Sequence, residues 1–95
     1  MARYQILYWK EIPSLVEATD GRETVQVPLS ERFQELIDAV AMLEGIFGAE
    51  EYLEQWHKGP VHSRDGVPED VAERIAAELE AAFNDLRARH LHRLD

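Results

Sequence analysis

The chain predicts a small α+β domain. The expected arrangement is two-layered, β-β-α-β-α, with a three-stranded, mainly antiparallel sheet carrying its helices on one face. Three observations predict it. Residues 3–10, Arg-Tyr-Gln-Ile-Leu-Tyr-Trp-Lys, are dense in aromatic and aliphatic strand formers. Two later stretches, starting near Glu31 and Pro68, repeat apolar residues at the helical period. Short segments at 24–27 and 55–58 supply two further strands. At 95 residues the whole of 1–95 reads as a single domain, with a locally basic tail from about residue 86.

Residues 3–10 carry large side chains on both faces, which suits a central strand. Alternation sends Tyr4, Ile6 and Tyr8 one way and Gln5, Leu7 and Trp9 the other. Pro13 ends this strand, because it lacks a ladder donor and forces Ile12 to be extended. Residues 14–20 read as a polar link, closed by the turn signal Asp20-Gly21. Thr24-Val25-Gln26-Val27 alternates and is stopped by Pro28, so it reads as an edge strand antiparallel to the first.

Ser30 is the expected N-cap of the first helix, with Glu31 in its first turn. Phe33 at the third helical position rules out a reciprocal capping box. Phe33, Leu36, Ile37 and Val40 form the apolar face, and the helix is expected to stop near Gly45. Ala39, Met42 and Ile46 fall off that face. Residues 49–53 read as a short helical turn, 55–58 as the third strand, and 61–66 as a polar turn. Pro68 suits the first position of the last helix, followed by Glu69 and Asp70. Its stripe is Val71, Ile75, Leu79, Ala82 and Leu86, widened by Ala72, Ala76 and Phe83, and the helix extends towards His90.

Two helices over three strands leave one sheet face uncovered. That face is expected to show tyrosine or tryptophan and to be hidden by association, as a homodimer or with another protein. The expected interface residues are Tyr4, Tyr8, Trp9, Met42 and Ile46.

Ten basic residues against 19 acidic ones give a net charge of −9. Such a balance disfavours nucleic acid and anionic membrane surfaces as partners. Cysteine is absent, which excludes disulfides and thiolate chemistry and suits a reducing compartment. The N-terminus lacks the apolar core of a signal peptide, and no run has membrane-spanning length, so a cytoplasmic location is expected.

Little in the sequence points to catalysis. His57, His62, His90 and His92 follow no familiar metal-ligand spacing. Ser63 lies beside His62, Arg64 and Asp65, but no nucleophile elbow surrounds it. Phosphate-binding glycine loops are missing. No catalytic residue, metal or cofactor is therefore assigned. The densest group of recognition-type side chains lies in 52–65, where Trp56, His57, Lys58, His62 and Arg64 form the expected binding set. This leaves two readings. One is a non-catalytic protein-interaction or accessory domain that self-associates. The other is a small-ligand-binding domain or enzyme using the Trp56–Arg64 stretch.

The opening Tyr4-Gln5-Ile6-Leu7-Tyr8-Trp9-Lys10 with Ile12-Pro13 resembles a short bacterial domain, the virulence-factor family, also found within the conserved virulence factor C group. Glu31-Arg32-Phe33-Gln34-Glu35, Tyr52-Leu53-Glu54 before Trp56, and Arg64-Asp65-Gly66 ahead of a Glu/Ala-rich helix carry the same likeness. It covers roughly residues 3–83. The resemblance implies no established catalytic residues. In longer relatives such a domain sits beside helical repeats, which implies a protein-contact module.

Overall fold

The computed structural model describes residues 1–46 and 48–91. In chain order its elements are β1 (Ala2–Trp9), β2 (Ile12–Thr19), β3 (Thr24–Pro28), α1 (Glu31–Leu43), α2 (Ala49–Glu54), β4 (Trp56–Lys58), β5 (His62–Arg64), α3 (Pro68–Ala81) and α4 (Phe83–Leu91). The fold is α+β, but it has five strands in one sheet and four helices. This corrects the expected three-stranded β-β-α-β-α arrangement. The sheet order is β3-β2-β1-β4, with β5 also paired to β1, and every pairing is antiparallel. As expected, β1 is central.

The correction comes from two segments that carry no clean strand signal. Residues 14–20 belong to β2, which lies between β1 and β3, so β3 pairs with β2 rather than with β1. Pro13 sits inside β2 because the ladder is broken there. Leu7 pairs with Leu15 and Tyr8 with Pro13, leaving Ser14 as the extra residue of a bulge. The Ser14 carbonyl instead accepts from the Leu29 N–H at 2.9 Å. The β1–β2 turn is only Lys10-Glu11, with Lys10 at φ 54°. No glycine or asparagine announces such a turn. The other missed strand is β5, where His62, Ser63 and Arg64 lie opposite Tyr4, Arg3 and Ala2.

α1 has the expected bounds. Its end is a Schellman motif: Gly45 adopts φ 72°, the Ile46 N–H reaches the Ala41 carbonyl at 2.8 Å, and the Gly45 N–H reaches Met42 at 3.2 Å. The last helical stretch is broken at Ala82, which leaves α3 and α4 as separate helices.

The core has two parts. Trp9 and Ile12 pack with Phe33, Leu36, Ile37 and Val40 of α1 and with Phe83 and Leu86 of α4. Ala2, Val16 and Ala18 pack with Val71, Ala72, Ile75 and Ala76 of α3. Leu29 touches both. The break at Ala82 thus lets one stretch of chain serve two clusters. α3 lies on the sheet, while Phe83 turns to meet Phe33 edge-on at 4.9 Å.

Candidate interaction surface

The two core clusters leave one conspicuous pair outside both of them. Leu7 and Leu15 face each other across β1 and β2, half-buried, and belong to neither cluster. They line a depression of about 140 Å³ together with Gln5, Glu17, Gln26 and Lys58. All six residues come from strands, one or two from each of β1, β2, β3 and β4. A second depression, about 220 Å³, shares Gln5 and Glu17 and continues to Arg3, Tyr4, Thr19 and Val61. Together they trace an open sheet face.

The register accounts for its make-up. Gln5, Glu17 and Gln26 form one row across three strands, and Lys58, Leu7 and Leu15 form the next. Gln26 Nε2 donates to Glu17 Oε2 at 2.9 Å, and Lys58 Nζ lies 3.9 Å from Glu17 Oε1. Gln5 Nε2 donates to the Gly59 carbonyl at 3.1 Å. The face is therefore a leucine pair bordered by amides and a paired carboxylate. Among these residues, side-chain charge amounts to Arg3 and Lys58 against Glu17.

The expected binding set does not converge. Trp56 is half-buried against the α1 cluster and meets Tyr52 edge-on at 6.3 Å. His57 stacks on Tyr8 at 5.7 Å, and its Nε2–H donates to the Lys10 carbonyl at 2.6 Å. His62 lies against the Tyr4 ring at 5.2 Å. Arg64 Nη1 donates to Glu78 Oε2 at 2.8 Å, tying β5 to α3. Lys58 alone of the five faces the leucine pair. The other four make contacts that hold the small β4–β5 unit to its surroundings.

The expected interface residues are similarly divided. Trp9 is fully buried and its Nε1–H donates to the Tyr52 carbonyl at 2.9 Å. Tyr4 packs against the α3 cluster, and Ile46 folds back onto the α1 cluster as the residue after the Schellman glycine. Tyr8 is half-buried; burial and then the neighbouring Tyr4 push its hydroxyl pKa above the ordinary 10.0. Met42 is 71% exposed on α1. The open face thus shows leucine where tyrosine or tryptophan was expected. The bulge is on β2, so β1 alternates unbroken and keeps Trp9 on the face of Leu7, where α1 and α4 cover the Trp9 end and leave the Leu7 end open.

A second polar constellation had no sequence signal. Glu80, near the end of α3, accepts from the Ser30 N–H at 2.7 Å and the Ser30 hydroxyl at 2.8 Å. Arg32 donates to the same carboxylate, with Nη2 at 2.9 Å, and to the Glu80 carbonyl at 2.8 Å. The guanidinium also lies 4.4 Å from the Phe83 ring. Glu80 thereby caps α1 from another helix, and Arg32 holds the two helices together. The carboxylate is saturated by these partners, which makes the constellation a clamp rather than a reactive site. Among the described residues, no group of three or more His, Asp or Glu gathers as a metal site would. No described helix is long and apolar enough to cross a membrane.

The fold and its surface define a class: a small α+β domain whose single sheet carries α3 on one face and, on the other, α1 and α4 at one end beside an open leucine pair, which also corrects the expectation that all helices share one face. Residues 7–91 match the family model described as Virulence factor, and the chain belongs to that family. No curated protein and no solved structure matches it.

Proposed function

We propose that this protein is a non-catalytic interaction domain that works by covering its open sheet face with another protein surface. The observation that carries the reading is the Leu7–Leu15 pair. Two leucines lie side by side at the centre of a sheet, outside both core clusters, in a depression lined by strand residues alone. Amides border the pair, and its one carboxylate is already engaged by Gln26 and Lys58. That pattern is an apolar centre with a polar rim, the usual anatomy of a protein interface. The binding-type residues of 56–64 mostly serve internal contacts, so the small-ligand or enzyme reading draws no support from their geometry.

The test is site-specific photo-crosslinking in living bacterial cells. A photoreactive phenylalanine analogue in place of Leu15 is expected to form a discrete protein adduct. The same analogue in place of Glu73, exposed on α3, is expected to form none. Equal labelling at both positions, or no adduct from position 15, would overturn the proposal.

A further inference from the structure

We infer that the free edge of β3 docks a basic, extended segment of another protein, which joins the sheet as a further strand. This surface is separate from the leucine face, and the inference stands whether or not that face is covered.

The sheet treats its two edges differently. Beyond β1 the edge is split into β4 and β5, three residues each, with Gly59-Pro60-Val61 between them and Lys58 beside the break. Short strands, a proline and a lysine are common means of blunting an edge. β3 has less protection. Its pairing with β2 is regular over Thr24–Pro28, no charged side chain lies within it, and only Pro28 at its end lacks a donor.

The register shows which backbone groups this edge leaves free. The Asp20 N–H reaches the Glu23 carbonyl at 3.3 Å, and the Leu29 N–H reaches the Ser14 carbonyl at 2.9 Å. Bonds between antiparallel strands recur at every second residue. Val25 and Val27 therefore bond towards β2, while the N–H and C=O groups of Thr24 and Gln26 point outward. Among the described residues no other strand pairs with β3 on that side, and Thr24 and Gln26 are both exposed. Strand addition satisfies such groups directly.

α3 decides the chemistry of the occupant. Val25 and Val27 are half-buried against the α3 cluster. A strand added beside β3 places alternate side chains next to these valines, under the flank of α3. Two contacts orient that helix. Glu78 meets Arg64 of β5 on one flank, and Glu80 meets Ser30, just beyond β3, on the other. The helical period puts Glu69 and Glu73 on the Glu80 flank. Both are exposed, and neither forms an ion pair among the described residues. A lysine or arginine at each alternate position lays its methylene stem on a valine and turns its charge to this row. The turn before β3 carries Arg22 against Asp20 and Glu23, so it does not reverse the sign. A second copy fits less well. Two β3 edges paired about a two-fold axis bring the Glu69–Glu73 flanks of both molecules together, a like-charge contact.

The probe is a synthetic peptide of about eight residues that alternates lysine and valine. It is titrated into the isotope-labelled chain at low salt, with amide hydrogen exchange read residue by residue. Without peptide, the Thr24 and Gln26 amides are expected to exchange fast, and those of Val25 and Val27 slowly. With peptide at up to about 1 mM, Thr24 and Gln26 are expected to become protected as well. The same peptide methylated on its valine nitrogens keeps its charge but cannot donate to β3. It is expected to bind about tenfold more weakly, the loss of a pair of backbone hydrogen bonds. A glutamate–valine peptide is expected not to bind, and Glu73→Lys is expected to weaken the lysine–valine peptide. Gln26→Pro removes an outward donor and leaves the β2 ladder intact, so it is expected to abolish the protection at Thr24. Gln26→Ala also loses the contact to Glu17 but keeps its N–H, and is expected to bind as the wild type does. Equal binding of the methylated and plain peptides, protection confined to other residues, or no binding by about 1 mM would overturn the inference. Protection of Thr24 and Gln26 that grows with protein concentration in the absence of peptide would overturn it too, since that marks a second copy at the edge.

Discussion

Glu80 is an exposed-looking glutamate in a run of glutamates and alanines, yet it makes more contacts than any other carboxylate described here. Partial desolvation works to raise its pKa. The Ser30 hydroxyl and N–H and the Arg32 guanidinium outweigh that effect and hold it below the ordinary 4.5. A carboxyl lowered on folding contributes stability that is present above its unfolded pKa and is lost as pH falls through the folded one. Between about pH 5 and pH 3, the wild type is therefore expected to lose more stability than Glu80→Gln, as read by urea unfolding at each pH. At neutral pH, Glu80→Ala is expected to cost about 1–2 kcal/mol, the range for losing a helix cap and its charged hydrogen bonds. Gly59 acts by lacking a side chain. A Cβ there would lie 2.7 Å from Tyr8 Cε2, 3.3 Å from Cδ2 and 3.4 Å from the Ile6 carbonyl. Gly59→Ala is expected to push the Tyr8 ring off His57 and to cost about 1 kcal/mol. In a Tyr8→Ala background that cost is expected to vanish, and a double-mutant cycle by chemical denaturation measures the difference.

At the scale of elements, the legible parts were those whose signals agreed with each other. β1 was readable from its aromatic density, and α1 from Ser30, the Phe33–Leu36–Ile37–Val40 stripe and Gly45. β2 was not, because its strand character depends on tertiary company. Pro13 reads as a terminator, and only the bulge at Ser14 makes room for it between two neighbouring strands. β5 is three residues long and polar, so nothing local distinguishes it from a turn; β1 imposes its conformation. The break at Ala82 has no glycine or proline, and it exists because Phe83 packs against Phe33. The site followed the same logic. Leu7 was visible as a strand residue facing the same way as Gln5 and Trp9, but that α1 and α4 cover only the Trp9 end of that face depends on tertiary packing. Deleting Ser14 tests how much rests on that bulge. The deletion leaves Ile12 opposite Trp9 and Val16 opposite Ile6, so the regular ladder that results turns neither Ile12 nor Val16 away from its core cluster. Both are fully buried. What is lost is the Ser14 carbonyl that accepts from the Leu29 N–H, so the deletion variant is expected to melt cooperatively but at a lower temperature than Ser14→Ala, which keeps that carbonyl, as read by circular dichroism.

At the scale of the whole molecule, the acidic excess opposes folding as well as association. Nineteen acidic residues against ten basic ones are concentrated by folding into a small volume, and the compact state bears the greater self-repulsion. The ion pairs do little to offset this. Lys10–Glu44, Arg32–Glu80, Lys58–Glu17 and Arg64–Glu78 lie at or near the surface, where such pairs are worth between zero and about 1 kcal/mol each. Salt screens both terms. The repulsion acts over many residues at long range and the pairs act at contact, so screening removes more repulsion than attraction. The melting temperature is therefore expected to rise with sodium chloride from about 10 mM to about 300 mM, measured at low micromolar protein so that the monomer is observed. A domain of this size with a net charge near zero would show the reverse or no trend. If the melting temperature instead fell, the four ion pairs would be carrying more stability than their exposure allows, and the clamp at Glu80 would be the first place to seek it.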